Sequence, residues 1–276
     1  MKVLIAGGGI GGLTAALSLQ RAGIDVVVHE SAAEILPLGV GINILPHASR
    51  EFIELGLEEE IDRFAIRTTA MNYYTSDGHL VISQPCGLHA GYKWPQWSLH
   101  RGELHMLLLR AFKQRAGEGR VVTDSRLVDF KEDEKGNVRA HFEHGKKGGF
   151  SSVDCDVLVG ADGLHSATRK ILYPDEGKPI YSGMVVYRAA VRAPRFLDRK
   201  TMVIIGDKRL KLVAYPISGA ALGGSDGTSH INWIAALPIA EHEAPAEDWQ
   251  NLSRQEKLKP RYSNWNFDWV NVPGIM

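Results

Sequence analysis

Apolar residues fall along this chain in short runs set apart by glycine-rich or polar turns, and the pattern is sharpest in the first thirty residues. Lys2–Ala6 (KVLIA) is an apolar run of strand length. Gly11–Ala22 carries a helical spacing that stops at Gly23, and Asp25–His29 (DVVVH) is β-branched. Strand, glycine turn, helix and strand in succession predict a βαβ unit with its two strands parallel in one sheet. Strands this short and this uniformly apolar fit a sheet covered on both faces.

A long excursion begins after Glu30. Ile35–Ile44 (ILPLGVGINI) is apolar and punctuated by glycine, and Pro46–Leu55 predicts a helix. Thr69–Thr75 and His79–Ser83 predict strands around a Ser76-Asp77-Gly78 turn. Gly102–Arg115 predicts a second strong helix, with Leu104, Leu107, Leu108 and Ala111 on one face. Val121-Val122, Arg126–Lys131 and Val138–Phe142 predict a three-strand meander with a Gly136-Asn137 turn. Asp156–Val159 is a buried-type strand leading into Gly160-Ala161-Asp162-Gly163. Beyond Tyr173, the runs Met184–Val191, Thr201–Ile205, Lys211–Pro216 and His230–Leu237 predict a mainly antiparallel sheet. The fold class that follows is α/β. A Rossmann-like βαβ nucleotide-binding domain covers residues 1–175, with an excursion over 45–100, and a mainly antiparallel β-sheet domain on the substrate side covers 176–276.

Composition narrows the partner. The 276 residues hold 32 Lys and Arg against 32 Asp and Glu, and no long run of one sign occurs, which argues against nucleic acid and anionic membrane surfaces. A small molecule is the expected partner. Cys86 and Cys155 stand far apart in unlike contexts and read as two reduced thiols; no His, Cys or carboxylate cluster has metal-ligand spacing. Lys2 and the apolar stretch to Leu19 superficially resemble a secretory signal. Five glycines between Gly7 and Gly12 would weaken a signal helix, however, and Gln20-Arg21 interrupts the run. No other stretch approaches the roughly 20 apolar residues of a membrane span. The expectation is a soluble, cytoplasmic protein.

The glycine turn carries the clearest chemistry. Gly7-Gly8-Gly9-Ile10-Gly11-Gly12 fits G-x-G-x-x-G, with Gly7, Gly9 and Gly12 in the three places. Gly7 permits the sharp turn, Gly9 removes a side chain where pyrophosphate approaches, and Gly12 lets helix and strand pack closely. The helix that follows aims free N–H groups at the phosphates. Glu30 ends the next strand, where a carboxylate accepts hydrogen bonds from ribose hydroxyls. Together these features predict a site for the ADP half of a dinucleotide; alone they leave FAD and NAD both open.

Three segments in order resemble the group A flavoprotein aromatic hydroxylases: GGGIGG with Glu30, then Ser98–Leu104 (SLHRGEL), then Asp156–Arg169 (DVLVGADGLHSATR). Pro37–Ile44 (PLGVGINI) and Leu212–Ser218 (LVAYPIS) resemble that family's phenazine-modifying branch. The resemblance runs the length of the chain. It implies an FAD-dependent monooxygenase that consumes NADH or NADPH and O2 and hydroxylates an aromatic or heteroaromatic ring, such as a phenazine-like or salicylate-like acid.

The resemblance also implies where the cofactor sits. Gly7, Gly9, Gly11 and Gly12, with Glu30 and Ser31, would take the ADP end, and Val40 and Gly41 of the Gly39–Gly41 turn would lie near the isoalloxazine. Arg101 would reach a phosphate or the ribityl chain, the alternative being a salt bridge at a helix start. Asp162 and Gly163 would hold the pyrophosphate–ribose region, and Leu127 would lie by the adenine unless it is simply a core leucine. Arg169 is a weaker candidate for the nicotinamide nucleotide, against a solvated helix face, and His100 reads as structural. Tyr187, Tyr215 and Trp233 are candidates for the wall of an aromatic pocket, with ordinary core packing as the rival reading. No catalytic side chain is assigned, because the flavin carries the hard chemistry.

The family pattern has a third signature, a Gly-Asp-Ala-Ala-His type segment, and no such segment occurs between Met1 and Met276; Gly206-Asp207 reads instead as a strand-end turn. A chain shortened at its C-terminal side is therefore expected. Two rivals stay open beside the monooxygenase: an inactive remnant that keeps FAD or ADP binding, and an NAD-linked dehydrogenase.

Overall fold

The computed structural model describes residues 1–146, 148–218, 227–243 and 258–276. It divides into two compact units, Met1–Leu38 with Gly102–Pro179, and Gly39–Arg101 with Ile180–Met276.

In the first unit, β1 (Lys2–Ala6), α1 (Ile10–Arg21) and β2 (Asp25–His29) form the expected βαβ unit. β1 is the second strand of a four-stranded parallel sheet, between Val157–Gly160 on one side and β2 on the other, with Val121–Val122 beyond β2. Val3, Leu4, Ile5 and Ala6 are all buried, as a strand covered on both faces requires. Leu13, Ala16 and Leu17 of α1 are fully buried. The helix Arg101–Ala116 buries Leu104, Leu107, Leu108 and Ala111, the predicted stripe, together with Phe112.

Two expectations in this unit are corrected. Val121–Val122 joins the parallel sheet beside β2, so it is not part of the meander; the meander is Arg126–Glu132, Val138–Glu143 and Phe150–Cys155. A two-residue strand has too little sequence to declare its neighbour, and FSSVDC has too few apolar residues to announce a strand. Val157–Gly160, read as buried, is an edge strand of the sheet with Val157 41% exposed.

The second unit is built on a six-stranded sheet. Met184–Pro194 pairs with Thr228–Pro238 over eleven positions, followed by Lys211–Pro216, Met202–Gly206, Ala70–Tyr74 and Leu80–Pro85. Every pairing is antiparallel except that of Ala70–Tyr74 with Met202–Gly206. The excursion thus supplies two strands to this sheet and a small three-stranded sheet of its own, Gly41–Ile44, Trp97–His100 and Ile66–Arg67. One face of the large sheet forms a core of Ile231, Trp233, Ala235 and Leu237 with Tyr262, Trp265, Val272 and Ile275 from the last residues of the chain. Gly206-Asp207 forms the strand-end turn: Gly206 has φ +94° and the Asp207 carboxylate accepts the Arg209 and Leu210 N–H groups. Among the described residues, no helix is long and apolar enough to cross a membrane.

Candidate functional site

Parallel pairing of Ala6 with Gly160 brings two distant motifs together at the carboxyl ends of adjacent strands, the end where open α/β sheets bind ligands. The Ala161 N–H donates to Ala6 C=O at 2.7 Å. Gly7 has φ +110°, and a Cβ there would stand 2.3 Å from the Ala161 carbonyl oxygen. A Cβ on Gly12 would lie 2.0 Å from the Gly7 carbonyl oxygen. Gly7 and Gly12 therefore serve close packing, of loop on loop and of helix on loop. Gly9 and Gly11 differ: a Cβ on either meets nothing within 4 Å. Those two leave open space beside the start of α1.

Glu30 closes this loop. Its Oε2 accepts the Gly8 N–H at 2.7 Å, while Oε1 accepts the Ala32 N–H at 2.7 Å and the Ser31 hydroxyl at 3.1 Å. A carboxylate offers about four lone-pair sites, so one remains for a ribose hydroxyl. Among the described residues, the Ser31 hydroxyl bonds to Glu30.

Asp162 accepts the Ser166 hydroxyl at 2.6 Å and the Thr168 N–H at 3.1 Å, which fastens the Gly160–Gly163 loop to the helix Ala167–Leu172. Burial alone would raise its pKa; these hydrogen bonds outweigh burial and hold the carboxyl below the usual carboxylate range. Gly163 adopts φ +78°, with open space where a Cβ would stand. Arg169 pairs with Glu176 at 2.9 Å and donates to the Leu164 carbonyl at 2.8 Å. Leu127, 5% exposed, packs with Leu4, Ala6, Ala140 and Phe142. Phe142 in turn stacks on His29, centroids 4.1 Å apart, and His29 Nδ1 lies 2.8 Å from Ser125 Oγ. Burial, with His144 and Lys2 adding repulsion, lowers the His29 pKa to about 4, so the ring is neutral at pH 7.

The remaining candidates belong to the second unit. Gly39, with φ +128°, lies against the stem of Arg101, whose N–H donates to the Val40 carbonyl at 2.9 Å. The exposed Arg101 guanidinium has no hydrogen bond or ion pair among the described residues, which leaves it available to an anionic group. Gly41 donates its N–H to Asn232 Oδ1 at 2.7 Å, and a Cβ on it would meet Asn232 and Ile217 at 2.6–2.7 Å. Opposite Gly41 stands His100, whose Nδ1 is buried without a hydrogen-bond partner among the described residues.

Strand alternation divides the three aromatic candidates. Trp233 pairs with Ala189 and Ala214 on the face that carries the core, and Tyr187 packs against that same core. Tyr215 pairs with Asn232, one position along, and so points from the opposite face. The three do not line one wall. Burial pushes the Tyr215 phenol up to about 12, against smaller opposing effects of Arg188 and Asn232.

Two residues carried no recognisable sequence signal. Asn232, fully buried, secures the Gly39–Gly41 turn. His105 points Nε2 at the Gly8 carbonyl, 2.6 Å away; its only sequence cue is a position one helical turn beyond Arg101.

Comparison with known proteins places this geometry. Residues 1–258 match the family model described as FAD binding domain. The chain is 40% identical to the phenazine 1,6-dicarboxylic acid hydroxylase PhzS of Lysobacter antibioticus, over 99% of this chain and 68% of that protein. It is 36% identical to the 3-hydroxybenzoate 6-hydroxylase of Polaromonas naphthalenivorans, over 79% of this chain and 54% of that one. The crystal structure of Klebsiella pneumoniae HpxO complexed with FAD and uric acid superposes with a TM-score of 0.74 at 22% identity, over 100% of this chain and 65% of that one. At its fullest coverage the chain spans about two thirds of the length of these relatives.

Proposed function

The chain belongs to the group A family of FAD-dependent aromatic hydroxylases, and from that membership we propose that it is the cofactor-gripping and substrate-side part of a monooxygenase acting on an aromatic or heteroaromatic ring. The observation that carries the reading is the convergence of the Gly7–Gly12 loop, the Ala161–Gly163 loop and Glu30 at the carboxyl edge of one parallel sheet.

The residues fit the ADP half of FAD. Gly9 and Gly11 leave the space a pyrophosphate needs, α1 presents its N-terminal N–H groups, and Glu30 keeps one acceptor for the ribose. Gly163 adds open backbone on the neighbouring loop, and Asp162 fixes that loop. Arg101 is assigned to the phosphate or ribityl chain by family resemblance, supported by a guanidinium that has no partner among the described residues. Val40 and Gly41 are assigned to the isoalloxazine by family resemblance, and Ser31 and Leu127 to the edges of the ribose and adenine. When bound, FAD supplies the activation of O2 with electrons from NADH or NADPH. The chain's own residues bind, orient and exclude water.

For the substrate we favour a planar heteroaromatic carboxylic acid of the phenazine kind, since the relative at 40% identity is a phenazine dicarboxylic acid hydroxylase. Reconstitution of the purified chain with FAD tests the reading. A bound, yellow flavin and NAD(P)H oxidation stimulated by a phenazine carboxylic acid are expected. Binding of ADP or FAD with no oxygen consumption points to the inactive remnant, and tight NAD binding without FAD affinity to the dehydrogenase.

A further inference from the structure

The middle glycine of the phosphate loop is held at both ends by side chains. Glu30 Oε2 takes the Gly8 N–H at 2.7 Å, and His105 Nε2 stands 2.6 Å from the Gly8 carbonyl oxygen. A carbonyl only accepts, so Nε2 carries the proton of this bond. The Gly8 carbonyl and the Gly9 N–H belong to one planar trans peptide, and they point in opposite directions. Tying the carbonyl to His105 therefore turns the Gly9 N–H away from the helix that carries His105. A Cβ on Gly9 would meet nothing within 4 Å, so that glycine is open to a ligand.

We propose that His105 is a positioning residue for the diphosphate: through the Gly8 carbonyl it aims the Gly9 N–H at the phosphates of an ADP-containing cofactor. The proposal rests on the cofactor reading above only for its ADP half. Glu30, just past the end of β2, fixes the opposite end of the same glycine. His105 thus completes a clamp whose two halves come from the residue after β2 and from the helix Arg101–Ala116.

The test compares ADP with adenosine, which lacks the phosphates, by calorimetry or by competition against a fluorescent adenine nucleotide. His105→Leu removes the donor and is expected to weaken ADP about tenfold, the scale of one lost hydrogen bond, while adenosine affinity holds. His105→Gln keeps an N–H at the same reach and restores ADP to within about threefold. If His105→Leu does not fold, His105→Asn, polar but too short to reach Gly8, takes its place. Unchanged ADP affinity in the donor-less variant overturns the proposal, as does equal weakening of ADP and adenosine. A wild-type chain that binds ADP but not FAD sinks the flavin reading and leaves this proposal to be judged on ADP alone. A wild-type chain that binds neither overturns both.

Discussion

Gly41 and Asn232, 191 positions apart, share a 2.7 Å hydrogen bond from the Gly41 N–H to the Asn232 carboxamide oxygen. The bond ties the small sheet of the excursion to the large sheet of the same unit. It also explains the glycine, since a Cβ at Gly41 would overlap Asn232 and Ile217 at 2.6–2.7 Å. The Gly39–Gly41 turn is thus held from two sides, by Asn232 at Gly41 and by the Arg101 N–H at Val40.

Gly41→Ala should therefore destabilise the protein by about 1–3 kcal/mol, the usual cost of overpacking a filled interior. Asn232→Leu should cost a similar ~1–3 kcal/mol, because the Gly41 N–H is left without its acceptor. Urea unfolding of each variant checks both values; stability equal to wild type for Gly41→Ala would refute the crowding argument.

The glycines of the first loop should separate into two classes. Gly12→Ala places a methyl 2.0 Å from the Gly7 oxygen, so both melting temperature and ADP affinity should fall. Gly9→Ala meets nothing within 4 Å, so stability should fall by no more than the ~1 kcal/mol that separates Gly from Ala at a helix N-cap, while ADP affinity drops. Thermal melts paired with ADP titrations read the contrast, and parallel behaviour of the two variants would contradict it.

His29 should make stability depend on pH in a defined window. Its pKa is lowered from 6.5 to about 4 in the folded chain by burial, His144 and Lys2. Above pH 6.5 the ring is neutral in both states and contributes nothing. As pH falls from 6.5 towards 4, the unfolded chain takes up a proton that the folded chain refuses, and stability declines by up to about 3 kcal/mol. His29→Gln removes this component. Denaturation midpoints measured from pH 7.5 to 4 should fall less steeply for the variant than for the wild type.

Much of this site was legible because its chemistry is local. The residues of β1, the glycine turn, β2 and Glu30 lie within thirty positions, and each carries its own signature in residue type. What stayed hidden depends on distant pairing. The partnership of Ala70–Tyr74 with Met202–Gly206 is a parallel contact across some 130 residues, and neither strand's alternation names its neighbour. The separation of Tyr215 from Trp233 follows from a register of one residue, which flips the face. His105 and Asn232 act through backbone carbonyl and N–H groups, and any residue type can present those partners.

Asp162 offers the last separation of roles. Its carboxylate accepts from the Ser166 hydroxyl and the Thr168 N–H, so it orders the loop whether or not it also touches a cofactor. Asp162→Ala should lose about 1–2 kcal/mol of stability, in line with a lost cap, and with it the shape of the loop beside Gly7. Asp162→Asn keeps one acceptor oxygen and should recover most of that loss. The folded-state pKa is held low, so the stability difference between wild type and Asp162→Asn should be full above the ordinary carboxylate pKa of 3.8 and vanish as pH falls through the folded value. FAD affinity decides the remainder. If Asp162→Asn binds FAD as wild type does, Asp162 acts by shaping the loop; a loss of affinity with stability retained assigns its charge to the cofactor itself.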